Sequence, residues 1–273
     1  EMSASLVGSE MCIRDSDITV AAGKTETISQ SVDVANPKLW SVDSPNLYWV
    51  RTEIIQNGKV VDRTDSRFGI RYIATNPNSG FYLNGVHTKL NGVCEHSDLG
   101  SLGMETYQAA VDRRIRTLKK YGVNAIRTSH NPVSPEFIEA CDRLGMLVFE
   151  EAFDQWLYSK NSDDYHNYFN KAADGKTVVF DKAGNDNTNN DTSYIEVKRE
   201  DLQSNAERDI KAMVDRDKNA PCIFAWSTGN EIYDARYKHG ENTLDMLTGW
   251  IKEIDTTRPV AACPPTWDNY WAN

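Results

Sequence analysis

The chain of 273 residues carries 40 acidic and 30 basic side chains, a formal net charge of −10. This charge argues against a nucleic-acid partner, which requires a basic face. No apolar run approaches the roughly 20 residues of a membrane-spanning helix, so the sequence predicts no membrane partner. A neutral sugar stays open as a ligand, and the length suits one large domain or about one and a half average ones.

The first quarter of the chain divides into two parts. Residues 1–16 show no clear hydrophobic period, and we predict that they are extraneous to the fold or disordered. Residues 17–73 hold alternating and β-branched runs, including DITVAAG (17–23) and TETISQSVDV (25–34), which are typical of short strands. The pair Asn57–Gly58 predicts a tight hairpin, because both residues tolerate a positive φ. We therefore predict a partial β-sandwich over residues 17–75, with 75–80 as a turn-rich linker.

Beyond residue 80 the pattern changes to alternating strands and helices. The predicted strands are 81–85, 86–93, 123–130, 146–153, 222–226 and 259–263, and the predicted helices are 104–121, 135–144, 194–214 and 243–254. Residues 156–192 are polar and predict an extended loop. Such alternation favours parallel βαβ units.

Two parallel architectures fit this alternation. An open doubly wound sheet is one, but no GxGxxG or GxxxxGK[ST] motif follows a strand, so a nucleotide site would lack its phosphate loop. A (β/α)8 barrel is the other, and a complete one takes about 250 residues. We predict an incomplete (β/α)8 TIM barrel over residues 76–273.

Polar residues collect where the predicted barrel strands end. These residues are His96, Arg127, His130, Glu150, Glu151, Asp154, Trp156, Asn230 and Glu231. In a barrel the carboxyl ends of all strands meet at one face, where active sites lie. Glu231 follows the apolar run 222–226, and we interpret it as a catalytic acid/base. The alternative is that Glu231 is one more surface carboxylate.

Several segments resemble glycoside hydrolase family 2, the family of β-galactosidases and β-glucuronidases. The segments are NAIRTSHNP (124–132), RDKNAPCIFAWSTGNE (216–231), GVCEHSDLG (92–100), EEAFDQW (150–156), PKLWSVDSPNLY (37–48) and RFGIRYI (67–73). The resemblance implies a partial immunoglobulin-like β-sandwich over residues 17–75, followed by the N-terminal part of a TIM-barrel catalytic domain over 76–273.

The resemblance also implies roles for individual residues. Glu231 matches the general acid/base of a retaining mechanism, and Asn230 matches the residue that binds the 2-hydroxyl of the sugar. His96, Arg127 and His130 match positions that line the sugar subsite or brace the catalytic carboxylates. The alternatives are satisfied structural histidines and a simple pairing of Arg127 with Glu150 or Glu151.

The nucleophile of the family belongs to a later strand, beyond the end of this chain. The resemblance assigns it to none of the nearby carboxylates, which are Glu150, Glu151, Asp154 and Asp268.

We therefore expect a retaining exo-β-glycosidase, and the segment GVCEHSDLG favours a β-galactosidase. The alternatives are β-glucuronidase or another specificity of the family, and a catalytically inactive truncated barrel that binds sugar weakly. We expect no organic cofactor and no metal, because the stretch after Phe153 lacks the magnesium-binding pattern of some members. The resemblance allows a homo-oligomer of the full-length parent. It leaves open whether this soluble protein works in the cytoplasm, in the periplasm or outside a bacterium.

Overall fold

A computed structural model describes residues 2–7, 13–154, 156, 206–232 and 240–261. The strands are β1 Met2–Val7, β2 Ile13–Ser16, β3 Tyr48–Gln56, β4 Lys59–Phe68, β5 Ile73–Asn76, β6 Gly80–Leu83, β7 Val86–His87, β8 Gly92–His96, β9 Ala125–Ser129, β10 Leu147–Glu151, β11 Ile223–Ser227 and β12 Val260–Ala261. The α-helices are α1 Gln108–Lys120, α2 Pro135–Leu144, α3 Arg208–Asp217 and α4 Gly240–Ile254. The predicted loop 157–192 lies outside the described residues.

The first sheet has four antiparallel strands in the order β2-β1-β3-β4. Its centre is the predicted hairpin of β3 and β4. The turn residues Asn57 and Gly58 have φ values of 53° and 73°. Both angles lie in the left-handed region that such a turn requires, so this local prediction is confirmed.

Two expectations for the N-terminal region are wrong. Disorder was expected within residues 1–16, but β1 pairs with β3 over its whole length. Pairing uses main-chain groups, so a free strand edge can recruit a segment whose side chains show no pattern. Strands were expected at 17–23 and 25–34, but the structure has none there. An alternating apolar and polar pattern allows a segment to form a strand. The strand must also find the free edge of a sheet with which to pair.

The turn-rich residues 75–80, predicted as a linker, form the hairpin connection between β5 and β6. β5 pairs with β6 in an antiparallel register that joins Asn76 to Gly80, and β7 completes a sheet of three strands. The predicted strand 86–93 is therefore split between β7 and β8. The domain boundary at residue 75 stays a prediction.

The third sheet contains the barrel strands. Its five strands are parallel and lie in chain order, from β8 to β12, without a reversal. A doubly wound sheet reverses its strand order at a switch point, whereas a barrel adds each new strand beside the last. The sheet is therefore part of a (β/α)8 barrel, as predicted.

Local signals fix the bounds of α2 as predicted. The hydroxyl of Ser134 accepts from the backbone N–H of Phe137 at 3.3 Å, and Gly145 ends the helix with a φ of 73°. Glycine suits this helix end, because other residues rarely adopt that backbone. α1 begins at Gln108, four residues later than expected. α3 extends beyond the predicted end to Asp217, and residues 194–205 lie outside the described part.

Buried Asp142 joins the N-terminal sheet to the barrel. Its carboxylate accepts from Arg67 Nη2 of β4 at 2.9 Å and from the backbone N–H of Cys222 at 3.0 Å. The indole N–H of Trp40 donates to the backbone carbonyl of Asp142 at 2.8 Å. Asp142 thus holds the beginning of β11 in place.

Glu150 faces the helical layer, on the opposite side of β10 from Glu151. Its side chain is fully buried, and Oε1 lies 3.5 Å from Nη2 of Arg216. Burial and the neighbouring Asp217 carboxyl raise the pKa of Glu150 well above its usual range, against the weaker influence of Arg216 and Arg258. Oε2 has no hydrogen-bond partner within the described residues. Burial and the Asp217 carboxyl therefore favour the neutral form of Glu150.

We expect the free energy of unfolding of the Glu150→Gln variant, relative to that of the wild type, to increase as the pH rises from 5 to 8. An acid with a raised folded-state pKa contributes stability below its unfolded pKa of about 4.3, and this stability is lost as the pH rises through the folded pKa. The loss is about 1.4 kcal/mol per pH unit between the two values. Thermal unfolding of the variant and the wild type at several pH values measures it.

The exposed carboxyl of Glu105 provides the matched control. Glu105→Gln should leave the pH dependence of the unfolding temperature unchanged. A constant difference between Glu150→Gln and the wild type across this range would contradict the raised pKa.

Candidate active site

The ends of β9, β10 and β11 bring the polar residues together at one edge of the sheet. The register pairs Phe149 with Arg127 and Glu151 with Ser227. Because side chains alternate along a strand, Glu151 shares a face with Arg127 and Ser227. This face carries the site.

Glu151 is the centre of the contacts. Its side chain is fully buried, Arg127 donates to Oε2 from Nε at 2.8 Å, and Nη2 of Arg127 forms an ion pair with the same oxygen at 2.6 Å. The hydroxyl of Ser227 donates to the same oxygen at 2.8 Å, and Nδ1 of His130 lies 2.5 Å from Oε1. The backbone N–H of Glu151 donates to the hydroxyl of Thr128 at 2.8 Å. Three neighbouring strands are thus tied together through one carboxylate.

Asn230 extends this network beyond the end of β11. Its Oδ1 accepts from Nη2 of Arg127 at 2.9 Å, and its Nδ2 donates to Oδ1 of Asp154 at 2.9 Å. Together with Glu151 these residues form a polar chain, Glu151–Arg127–Asn230–Asp154. The polar chain spans the ends of three strands.

The half-buried Glu231 follows Asn230 with a φ of 46°. This left-handed backbone costs about 1 kcal/mol for a residue other than glycine, and such positions cluster at functional sites. Gly229 precedes it with a φ of 150°, and a Cβ there would lie 2.5 Å from the carbonyl oxygen of Phe153. The indole N–H of buried Trp156 donates to the backbone carbonyl of Thr228, beside this turn, at 2.7 Å. The turn that leads into Glu231 therefore requires glycine at position 229.

His96 lies at the end of β8 and is exposed. Its ring packs edge-on against that of His130, with centroids 5.4 Å apart and planes at 88°. The structure thus joins Arg127, His130 and Asn230 through the polar chain and its hydrogen bonds. It places His96 against His130, and Glu231 next to Asn230.

Sequence reasoning missed the central position of Glu151 and the contribution of Ser227. It left open whether Arg127 pairs with Glu150 or with Glu151, and the structure shows that the partner is Glu151. The sequence held one signal, since two adjacent carboxylates at a strand end must face opposite sides. Choosing between them requires the register, which a single sequence does not provide.

The described residues contain neither a metal-binding cluster nor a membrane-spanning helix. No three His, Cys, Asp or Glu side chains among them are arranged to hold a metal ion. No helix among them is long and apolar enough to cross a membrane.

The parallel barrel sheet carries carboxylates, histidines and a tryptophan at its carboxyl edge, the mouth of the barrel, where TIM barrels place their active sites. The sequence-family model of the glycosyl hydrolases family 2 TIM barrel domain matches residues 75–271. A second sequence-family model, of glycosyl hydrolases family 2, matches residues 6–71. The chain therefore belongs to glycosyl hydrolases family 2. Its architecture is a sandwich-like N-terminal domain followed by part of a TIM barrel.

Named relatives include both main specificities of the family. The chain is 33% identical to beta-galactosidase BoGH2A of Bacteroides ovatus, over 93% of this chain and 30% of that protein. It is 37% identical to a putative beta-glucuronidase of Formosa agariphila, over 84% of this chain and 18% of that protein. A crystal structure of a family 2 member from Bacteroides cellulosilyticus matches with a TM-score of 0.79 at 33% identity, covering 98% of this chain and 31% of that one. The chain thus spans about a third or less of the length of these relatives.

We expect Glu151→Gln to lower the free energy of unfolding by about 3 kcal/mol, because it removes the fully buried carboxylate that pairs with the half-buried Arg127. The NH₂ group of the new glutamine side chain would also face the hydrogen-bond donors that now bind the carboxylate. Urea denaturation of the full-length protein, followed by tryptophan fluorescence, measures the loss.

Ser227→Ala is the matched control, because it removes a neutral donor to the same oxygen, together with the longer contacts of that hydroxyl with the backbone of Gly229. Its cost should be about 1 kcal/mol. Equal costs for the two substitutions would show that the charge of Glu151 does not stabilise the site.

Proposed function

We propose that the protein containing this chain is a retaining exo-β-glycosidase that hydrolyses terminal β-linked sugars, with Glu231 as the general acid/base. The observation that carries the proposal is the position of Glu231 directly after Asn230, whose amide is bound by Arg127 and Asp154 at the mouth of the barrel. Membership of glycosyl hydrolases family 2 supports the same reaction class.

Glu231 would act twice in each catalytic cycle. It first donates a proton to the glycosidic oxygen as the leaving group departs, and then removes a proton from the incoming water. Asn230 would bind the 2-hydroxyl of the sugar, a contact that strengthens in the oxocarbenium-like transition state. His96, His130 and Arg127 would line or brace the sugar subsite.

The second carboxylate of a retaining enzyme attacks the anomeric carbon and lies about 5 to 5.5 Å from the first. Glu151 is unsuited to this role, because it is fully buried and both its oxygens are engaged by Arg127, Ser227 and His130. Glu150 faces the helices on the other side of the strand. Both exclusions support a nucleophile on a later strand of the full-length protein.

The charge of the described mouth favours a neutral sugar, most simply a β-galactoside. Glu151, Asp154 and Glu231 supply carboxylates there. Arg127 is the guanidinium bonded into this network, and it already pairs with Glu151. A glucuronide would bring a further negative charge to this mouth, which costs several kcal/mol without a compensating cation. β-Glucuronidase is therefore the second candidate, favoured by the relative of that name.

We expect Glu231→Gln in the full-length protein to lower kcat by about 10² to 10⁴ for substrates with poor leaving groups. The loss should be smaller for aryl glycosides whose leaving group departs without a proton. Steady-state kinetics on a series of aryl β-galactosides of increasing phenol pKa measures this dependence.

Glu105→Gln serves as the control, and should leave the series unchanged. The 273-residue chain assayed alone should give no turnover. An equally small effect of Glu231→Gln on every substrate would remove the acid/base assignment.

For the wild-type full-length protein we expect kcat/KM for an aryl β-galactoside to exceed that for the matching β-glucuronide by about 100-fold or more. The physical reason is the negative charge of the mouth. Parallel assays with the same leaving group isolate the sugar, and a preference for the glucuronide would establish the second candidate.

A further inference from the structure

The amide of Asn230 is bound at both ends by groups of opposite charge. Oδ1 accepts from the guanidinium of Arg127, and Nδ2 donates to the carboxylate of Asp154, each at 2.9 Å. A flipped amide would place its NH₂ against donors and its oxygen against a carboxylate. The two partners therefore select one orientation of this amide.

The two partners contribute differently to that orientation. Arg127 is itself fixed, because its Nε donates to Oε2 of Glu151 at 2.8 Å and its Nη2 forms an ion pair with that oxygen at 2.6 Å. One hydrogen bond to Oδ1 still leaves rotation about χ2 of Asn230, and this torsion has a broad energy well. The charge-assisted bond to Asp154 removes this freedom by holding the nitrogen end.

The fixed amide has one N–H left to offer. Nδ2 carries two hydrogens, and one of them goes to Asp154. The second has no acceptor within the part of the chain that the structure describes. A sugar hydroxyl oxygen in the mouth is a suitable acceptor for this N–H.

We propose that Asp154 is a positioning residue, which holds the amide of Asn230 so that its remaining N–H meets the 2-hydroxyl oxygen of the substrate. This inference rests on the glycosidase function proposed above. It assigns Asp154 an effect on the reaction through Asn230, without contact with the sugar.

The test compares two aryl β-galactosides that differ only in the presence or absence of the 2-hydroxyl. The kcat/KM of the substrate with the 2-hydroxyl is divided by that of the 2-deoxy substrate. This ratio, measured with the full-length protein, reports the contact to that hydroxyl. We expect Asp154→Ala to lower the ratio roughly tenfold or more, the range for a hydrogen bond to a charged group. Asp154→Asn keeps an acceptor oxygen and should give an intermediate ratio.

Two variants calibrate the measurement. Asn230→Ala removes the amide itself and should lower the ratio at least as far as Asp154→Ala. Glu105→Gln removes an exposed carboxylate and should leave the ratio unchanged. The 2-deoxy substrate is an internal standard, because damage to the fold lowers kcat/KM for both substrates together.

Each outcome decides the inference. A lowered ratio with Asp154→Ala and little change for the 2-deoxy substrate supports it. An unchanged ratio, or an equal loss with both substrates, overturns it while the glycosidase function stands. A wild-type protein that hydrolyses no β-glycoside, or an Asn230→Ala variant with an unchanged ratio, overturns the proposed role of Asn230 and this inference with it.

Discussion

The site depends on a negative charge held out of water at Glu151. A buried carboxylate is tolerated only where ion pairs and hydrogen bonds replace its hydration. Arg127, His130 and Ser227 meet this need from β9, from the loop after β9 and from β11. Because these partners belong to separate segments, satisfying one charge fixes the relative positions of the strand ends. These contacts position the strand ends through groups of the protein alone.

The strand that carries the proposed acid/base is constrained at both ends. Asp142 binds the backbone of Cys222 at its beginning, and Asp142 is in turn held by Arg67 of the N-terminal sheet. At its far end, the close approach of Phe153 admits only glycine at position 229. The N-terminal domain thus contributes to the site through the beginning of β11, where a TIM barrel concentrates its stability, while the chemistry lies at the opposite end.

Local signals were reliable where one or two residues determine the backbone. The Asn57–Gly58 turn and the bounds of α2 depend on φ preferences and nearby hydrogen bonds, which sequence encodes directly. The runs at 17–23 and 25–34 have strand composition but form no strands, because a strand also needs a partner edge. Recruitment of residues 2–7 by β3 shows the same dependence in the opposite direction.

The sequence by itself determined the alternation of strands and helices beyond residue 80 and the residue types at the strand ends. Together with the family resemblance, this pointed to Glu231, Asn230, Arg127, His130 and His96. Only the tertiary structure decided that Glu151 faces the mouth and Glu150 the helices. The reason is the two-residue period of a strand, since a shift of one residue in register exchanges its two faces. Register is set by long-range packing, which no single stretch of sequence contains.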